Sequence, residues 1–160
     1  MNPNSLIQHK FNGDAVPKSE LASFITAYVD GEFSNEIMTS FLKAVHTKGM
    51  SYDETFALTE VMVNSGDCVS FNNMDAYVAD KHSTGGVGDK VSIILGPLMA
   101  VAGLAIPMLA GRSLGHTGGT IDKLETIPGF QTSLTLDQFK SKVENVGLCI
   151  MSQTKSICPA

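Results

Sequence analysis

The sequence predicts an α/β fold, in which an all-helical N-terminal domain precedes the first part of a mostly parallel α/β domain. Three observations support this prediction. Apolar residues recur at helical spacing through residues 1–65. Polar residues and glycine interrupt that pattern in residues 66–79, as in a hinge or linker. Within residues 80–160, short apolar runs alternate with glycine-rich loops and helical patterns, which is typical of parallel sheets.

Four helices are predicted in the first 65 residues. A short helix over residues 5–11 ends at Gly13, the second ends at Gly31, and the third begins after Ser34. The fourth begins with the capping box Ser51-x-x-Glu54. We expect the apolar stripes of the last three helices to form a core; they consist of Leu21, Phe24, Ile25, Tyr28 and Val29, then Ile37, Met38, Phe41, Leu42 and Val45, then Leu58, Val61 and Met62.

Strands are predicted at 77–79, at the end of the linker, and at 106–109 and 148–151 in the α/β part. Helices are predicted from residue 90 to about 102, at 121–126, and after the capping box Thr135-x-x-Gln138. The apolar side of the last helix is formed by Phe139, Val143 and Val146, and Gly147 ends it.

Composition excludes several function classes. The net charge of −5 argues against broad nucleic-acid binding, which needs a basic face. Three cysteines without a C-x-x-C pair favour a reducing cytoplasm over a disulfide framework or a zinc ribbon.

Residues 1–10 lack the apolar stretch of a signal peptide. The apolar run 91–110 has the length of a membrane span, but Gly96-Pro97, Gly103 and Pro107 interrupt it, so we expect a helix followed by a buried strand.

Two glycine-rich loops, 81–90 and 111–120, each leave a predicted strand and enter a predicted helix. Such loops open at one edge of a parallel sheet, where their backbone N–H groups favour anions. Neither a Walker-type loop nor a dinucleotide-binding G-x-G-x-x-G pattern is present. Phosphate suits the polar side chains that the loops and the following helices carry, which are Lys81, His82, Ser83, Thr84, Lys90, Ser92, Arg112, His116, Thr117, Thr120 and Lys123.

The residues alone leave the histidines and carboxylates of these loops open to more than one interpretation. His82 either hydrogen-bonds the loop backbone or stands beside the anion and donates a proton to a leaving group. For His116 we favour a structural role. Asp80 and Asp89 are candidates for orienting their neighbours, and nothing else supports a glycosidase-like carboxylate pair.

Two long motifs resemble the signatures of thymidine and pyrimidine-nucleoside phosphorylases. They are Asp80-Lys-His-Ser-Thr-Gly-Gly-Val-Gly-Asp-Lys90 and Gly111-Arg-Ser-Leu-Gly-His-Thr-Gly-Gly-Thr-Ile-Asp-Lys-Leu-Glu-Thr-Ile-Pro-Gly-Phe130. The resemblance extends over nearly the whole chain. It implies reversible phosphorolysis: phosphate attacks C1′ of a pyrimidine nucleoside such as thymidine or uridine, and the base leaves. It also implies a homodimer joined through the helical domain, with inorganic phosphate as co-substrate, no cofactor and no membrane partner.

The resemblance also implies roles for individual residues. Phosphate would be held by Lys81, Ser83, Ser92 and Thr120. His82 would contact the pyrimidine carbonyl and help the base to leave, and Leu114 would line the base pocket.

Three positions depart from the family pattern. Ala110 stands where the family usually has a serine that contacts phosphate, and Ser113 replaces a glycine. Lys90 places an ammonium group where some relatives bind potassium, so we expect no metal.

The family's chains are well over twice as long as these 160 residues, so we expect a truncated α/β domain with an exposed sheet edge and no useful turnover by this chain alone. Two alternatives remain open. One is a related phosphoribosyltransferase, although its glycine motif differs from Lys81-His82-Ser83. The other is a non-catalytic dimerising helical module with a vestigial phosphate loop, which the length and Ala110 favour.

Overall fold

The computed structural model describes residues 2–82, 89–113 and 116–160, which form two compact units. The first comprises Met1–Asp67 and Lys155–Ala160, and the second comprises Cys68–Thr154. The predicted class, a helical part followed by an α/β part with parallel strands, is confirmed. The predicted boundaries at 65 and 80 stay a prediction; most of the predicted linker lies in the second unit, and the last six residues lie in the first.

The helical unit contains the four helices expected from the sequence. They are α1 (Pro3–Asn12), α2 (Lys18–Val29), α3 (Asn35–Lys48) and α4 (Tyr52–Ser65). Gly13 ends α1 in the left-handed conformation with a φ of 93°, which a glycine adopts without strain. Both hydrogen bonds of the Ser51–Glu54 capping box are present at the start of α4.

The core of this unit is aromatic and aliphatic. Leu21, Phe24 and Ile25 of α2 are buried together with Phe41 of α3, and the rings of Phe24 and Phe41 lie 4.8 Å apart. Helix α1 packs on α3, and α2 packs on α4.

The prediction of burial is wrong for Leu42 and Met62, which are 55% and 38% exposed. Both lie at the edges of their stripes, and the residues of α4 that are buried are Glu54 and Ala57. Periodicity identifies the apolar face of a helix but not how much of that face its neighbours cover.

A buried ion pair lies among these helices. Lys10 Nζ of α1 lies 2.7 Å from Glu54 Oε1, and the two side chains are only 4% and 3% exposed. Backbone N–H groups of Val16 and Ser51 also donate to the carboxylate, at 2.9 and 2.7 Å. Burial acts to raise the pKa of Glu54, but the hydrogen bonds from Lys10 and these two amides together outweigh it and lower the pKa to about 2.

The described residues of the second unit form two strands and three helices. They are α5 (Val91–Val101), β1 (Ile106–Ala110), α6 (Thr120–Leu124), α7 (Leu136–Val146) and β2 (Leu148–Ser152). The strands are parallel, with Ile106 opposite Leu148 and Ala110 opposite Ser152. The predicted strand at 77–79 is reduced to a single parallel bridge between Val78 and Ala105.

The long apolar run divides into α5 and β1, as the sequence predicts, and Gly103 between them has a φ of 97°. In the described part of the chain, none of the helices combines the length and the hydropathy needed to span a bilayer. Helix α7 buries Phe139 and Val143, whereas Val146 on the same apolar side lies at the end of the helix and is 68% exposed.

Candidate functional site

A cleft lies at the edge of the sheet where the glycine-rich loops begin. The pairings of Val78 with Ala105 and of β1 with β2 are all parallel, so the chain leaves the sheet in the same direction after each segment. The cleft has a volume of about 360 Å³. It is lined by His82, Asp89, Met108, Leu109, Ala110, Gly111, Arg112, Ser113, Thr117, Gly118, Gly119, Thr120, Lys123 and Gln153.

The carboxylate of Asp89 joins the two loops. Lys81 Nζ donates to Asp89 Oδ1 at 2.6 Å. The hydroxyls of Ser92, at the start of α5, and Thr120, at the start of α6, both donate to Asp89 Oδ2 at 2.6 Å. Three of the four residues expected to hold phosphate therefore converge on one carboxylate. The fourth, Ser83, lies outside the described residues.

These contacts keep Asp89 ionised. Burial acts to raise the pKa of its carboxyl group, but the hydrogen bonds from Lys81, Ser92 and Thr120 outweigh that effect and hold the pKa well below its usual range. Asp89 is therefore an acceptor only, and each of the three side chains is the donor in its bond.

The three donors differ in their access to the cleft. Thr120 lines it beside Asp89. Ser92 is only 1% exposed, and it lines a smaller apolar cavity of about 130 Å³ together with Lys81. Asp89 and Thr120 thus line the cleft, whereas Ser92 and Lys81 line the smaller cavity.

The central position of Asp89 was only partly visible in the sequence. The sequence indicates Asp89 as a candidate for orienting its neighbours but does not indicate which side chains it binds. The spacing Asp89-x-x-Ser92 is a local signal, because an Asp just before a helix often accepts a hydrogen bond from a nearby backbone N–H group; the Ser92 N–H group donates to Asp89 Oδ1 at 3.4 Å. No local pattern indicates the contact with Thr120.

In the second loop, the backbone packs tightly at Gly119, and the Arg112 side chain belongs to a cluster of charged groups. A Cβ atom on Gly119 would lie 2.3 Å from the carbonyl oxygen of Arg112, so only glycine fits there. The Arg112 guanidinium group makes two bonds to Glu125, at 2.7 and 2.9 Å, and one to Asp122 at 3.2 Å. Hydrogen bonds from Arg112 and then Thr132 lower the pKa of Glu125 to about 2. No pattern in the sequence predicted this cluster of charged side chains.

The remaining candidates are placed as follows. His82 is exposed and lines the cleft, whereas His116 is exposed outside its lining. Ala110 and Ser113 both line the cleft, and Leu114 lies outside the described residues. Lys90 is exposed immediately before α5. Within residues 2–82, 89–113 and 116–160, no group of three His, Cys, Asp or Glu side chains is arranged to hold a metal ion.

The sequence matches one protein family over both units. Residues 75–160 match the family described as "Glycosyl transferase family, a/b domain", and residues 4–66 match "Glycosyl transferase family, helical bundle domain". The chain belongs to this glycosyl transferase family. Its two matched segments correspond to the helical and α/β parts of the fold.

Several members of the glycosyl transferase family are similar to the whole chain. Thymidine phosphorylase of Rhizobium meliloti (strain 1021) is 43% identical over 160 residues, 100% of this chain and 36% of that protein. Pyrimidine-nucleoside phosphorylase of Geobacillus stearothermophilus is 41% identical over 155 residues, 97% of this chain and 36% of that protein. Thymidine phosphorylase of Rattus norvegicus is 42% identical over 156 residues, 97% of this chain and 33% of that protein. The chain thus spans about a third of the length of these relatives.

A solved structure shares the fold. Anthranilate phosphoribosyltransferase from Thermus thermophilus superposes with a TM-score of 0.70 over 96% of this chain and 46% of that one. The sequences are 16% identical, so the likeness concerns the fold alone.

Proposed function

We propose that this chain carries the phosphate-binding part of an enzyme that phosphorolyses pyrimidine nucleosides, converting thymidine or uridine and phosphate into the free base and a pentose 1-phosphate. The observation that carries the proposal is the convergence of Lys81 and Thr120 on Asp89 at a cleft that His82 also lines. The names of the relatives support it, since they are thymidine and pyrimidine-nucleoside phosphorylases.

The proposed reaction needs an anion held beside a sugar. A phosphate oxygen attacks C1′ while the bond from C1′ to the base nitrogen breaks, and the base leaves with the electron pair. The transition state resembles an oxocarbenium ion, so a fixed anion supplies both proximity and electrostatic stabilisation. Lys81, Ser83, Ser92 and Thr120 are the proposed phosphate-binding set.

Two further side chains complete the proposed nucleoside site. His82, on the cleft wall, hydrogen-bonds the pyrimidine carbonyl and stabilises the departing base. Leu114 lines the base pocket. The reaction uses inorganic phosphate as co-substrate and needs neither a cofactor nor a metal ion.

The proposal extends to assembly and location. The helical unit exposes Leu42, Tyr52, Phe56 and Val63, which supports a homodimer formed through that unit. The cysteines Cys68, Cys149 and Cys158 are free, which supports a reducing, cytoplasmic compartment. The net charge of −5 supports small-molecule substrates rather than nucleic acid as partners.

A segment exchange tests the catalytic proposal. This chain would replace the matching segment of the Geobacillus stearothermophilus pyrimidine-nucleoside phosphorylase, and release of uracil from uridine would be followed by chromatography. We expect phosphate-dependent release, and an approximately hundredfold lower turnover when His82 is replaced by alanine. A folded exchange protein that binds phosphate but releases no base would favour the alternative of a non-catalytic module with a vestigial phosphate loop.

A further inference from the structure

The hydrogen of the Thr120 hydroxyl group is committed to Asp89. A threonine hydroxyl has one hydrogen to donate and two lone pairs that accept. The distance from Thr120 Oγ1 to Asp89 Oδ2 is 2.6 Å, and the ionised carboxylate has no hydrogen of its own. In this arrangement Thr120 presents only lone pairs to the cleft.

The same bond resists replacement by an incoming anion. Charge-assisted hydrogen bonds are about twice as strong as neutral ones. A hydroxyl that turned away from Asp89 would leave part of a charged carboxylate without a partner beside a second negative charge. Thr120 is therefore better suited to accept a hydrogen from the bound anion than to donate one.

We propose that Asp89 is a positioning residue that makes the cleft select a protonated oxyanion, phosphate, over a fully deprotonated one, sulfate. This inference rests on the proposed function, because it assumes that the cleft binds phosphate. At neutral pH inorganic phosphate keeps at least one hydrogen, whereas sulfate has none. A phosphate P–OH group donates to Thr120, and its unprotonated oxygens accept from cations.

The cations needed for the other oxygens are present. Arg112 and Lys123 line the cleft. Charge alone would attract sulfate as strongly as phosphate, so discrimination between them depends on the acceptor at Thr120.

Calorimetric titration of the 160-residue chain with inorganic phosphate, arsenate and sulfate at one ionic strength tests the inference. We expect phosphate and arsenate, which both carry hydrogens, to bind at least about tenfold more tightly than sulfate. In Asp89→Asn the amide donates to Thr120 and frees its hydrogen, so the preference for phosphate should fall by about tenfold. Asp137→Asn on α7 makes the same chemical change outside the cleft and should leave the preference intact.

A second pair of variants keeps the test valid if Asp89→Asn does not fold. Thr120→Val should weaken phosphate binding and leave sulfate binding unchanged, and Thr120→Ser should restore the preference for phosphate. Equal affinity of the unmodified chain for phosphate and sulfate would overturn the inference while leaving the phosphate site in place. If none of the three anions bound, both the inference and the proposed phosphate site would be wrong.

Discussion

Thr120 and Asp89 lie 31 positions apart in the sequence, and the hydroxyl of the first donates to the carboxylate of the second at 2.6 Å. This bond connects the two glycine-rich loops that leave the same edge of the sheet. It also connects α6 to α5, because the Ser92 hydroxyl donates to the same carboxylate oxygen. The geometry of the candidate site therefore depends on contacts between distant parts of the chain.

The first prediction concerns the buried pair Lys10–Glu54. Glu54→Gln leaves the Lys10 ammonium group buried without its counter-charge, and we expect the free energy of unfolding to fall by about 3 kcal/mol. Urea denaturation at neutral pH, followed by circular dichroism, measures the change. The matched control is Glu60→Gln, because the pair Lys18–Glu60 is similarly short at 2.6 Å but exposed. A loss as small in Glu54→Gln as in the control would contradict the prediction.

Acid sensitivity is the second prediction. The pKa of Glu54 is lowered to about 2 in the folded chain, so its ionised form stabilises the fold above its ordinary pKa of 4.5. That stabilisation should be lost as the pH falls from about 4.5 towards 2. Urea midpoints measured across this range should decline for the unmodified chain and decline less steeply for Glu54→Gln. Parallel curves for the two proteins would show that ionisation of Glu54 does not cause the loss of stability at low pH.

The sequence predicted the local features of this fold but not its long-range contacts. Helix ends depend on neighbouring residues, so the sequence predicted them well. Examples are the capping boxes that begin at Ser51 and Thr135 and the glycines that end helices, Gly13 and Gly147. The strand expected at 77–79 formed only one bridge, because sheet pairing depends on partners elsewhere in the chain.

In the candidate site, too, the sequence predicted some features but not the long-range contacts. The motifs grouped Lys81 with Thr120 as expected phosphate-binding side chains, and in the structure both contact Asp89. They did not reveal that Asp89 binds these side chains or that Glu125 holds Arg112. Those pairings join residues of different loops and helices, and only the folded chain brings them within hydrogen-bonding distance.

The third prediction concerns the closed backbone of the second loop. A methyl group at Gly119 would overlap the carbonyl oxygens of Arg112 and Gly111, at 2.3 and 2.6 Å. Gly119→Ala should therefore cost about 1–3 kcal/mol of stability and weaken phosphate binding. Gly118→Ala is the control, because the nearest described atom to its added Cβ would be Asp122 Cβ, at an ordinary 3.7 Å. Thermal denaturation that shifts equally for both variants would contradict this account of the loop.

The fourth prediction concerns the proposed dimer. Phe56 is 64% exposed on α4, near exposed Tyr52 on the same helix. Phe56→Asp places a charge in this apolar surface, and we expect the dimer dissociation constant to rise at least about tenfold. Sedimentation equilibrium measures it. Tyr77→Asp, at an exposed position of the other unit, serves as control. A monomeric unmodified chain, or a dimer unaffected by Phe56→Asp, would contradict the proposed interface.

We propose a phosphate site where the two glycine-rich loops meet. Titration of the ¹⁵N-labelled chain with inorganic phosphate, followed by NMR, tests this site most directly. We expect saturable shifts of the backbone amides of Lys81, His82, Gly118, Gly119 and Thr120, and weaker binding by Thr120→Val. Amides in α1–α4 should stay unchanged. Absence of shifts in both loops at saturating phosphate, or shifts confined to the helical unit, would contradict this proposal.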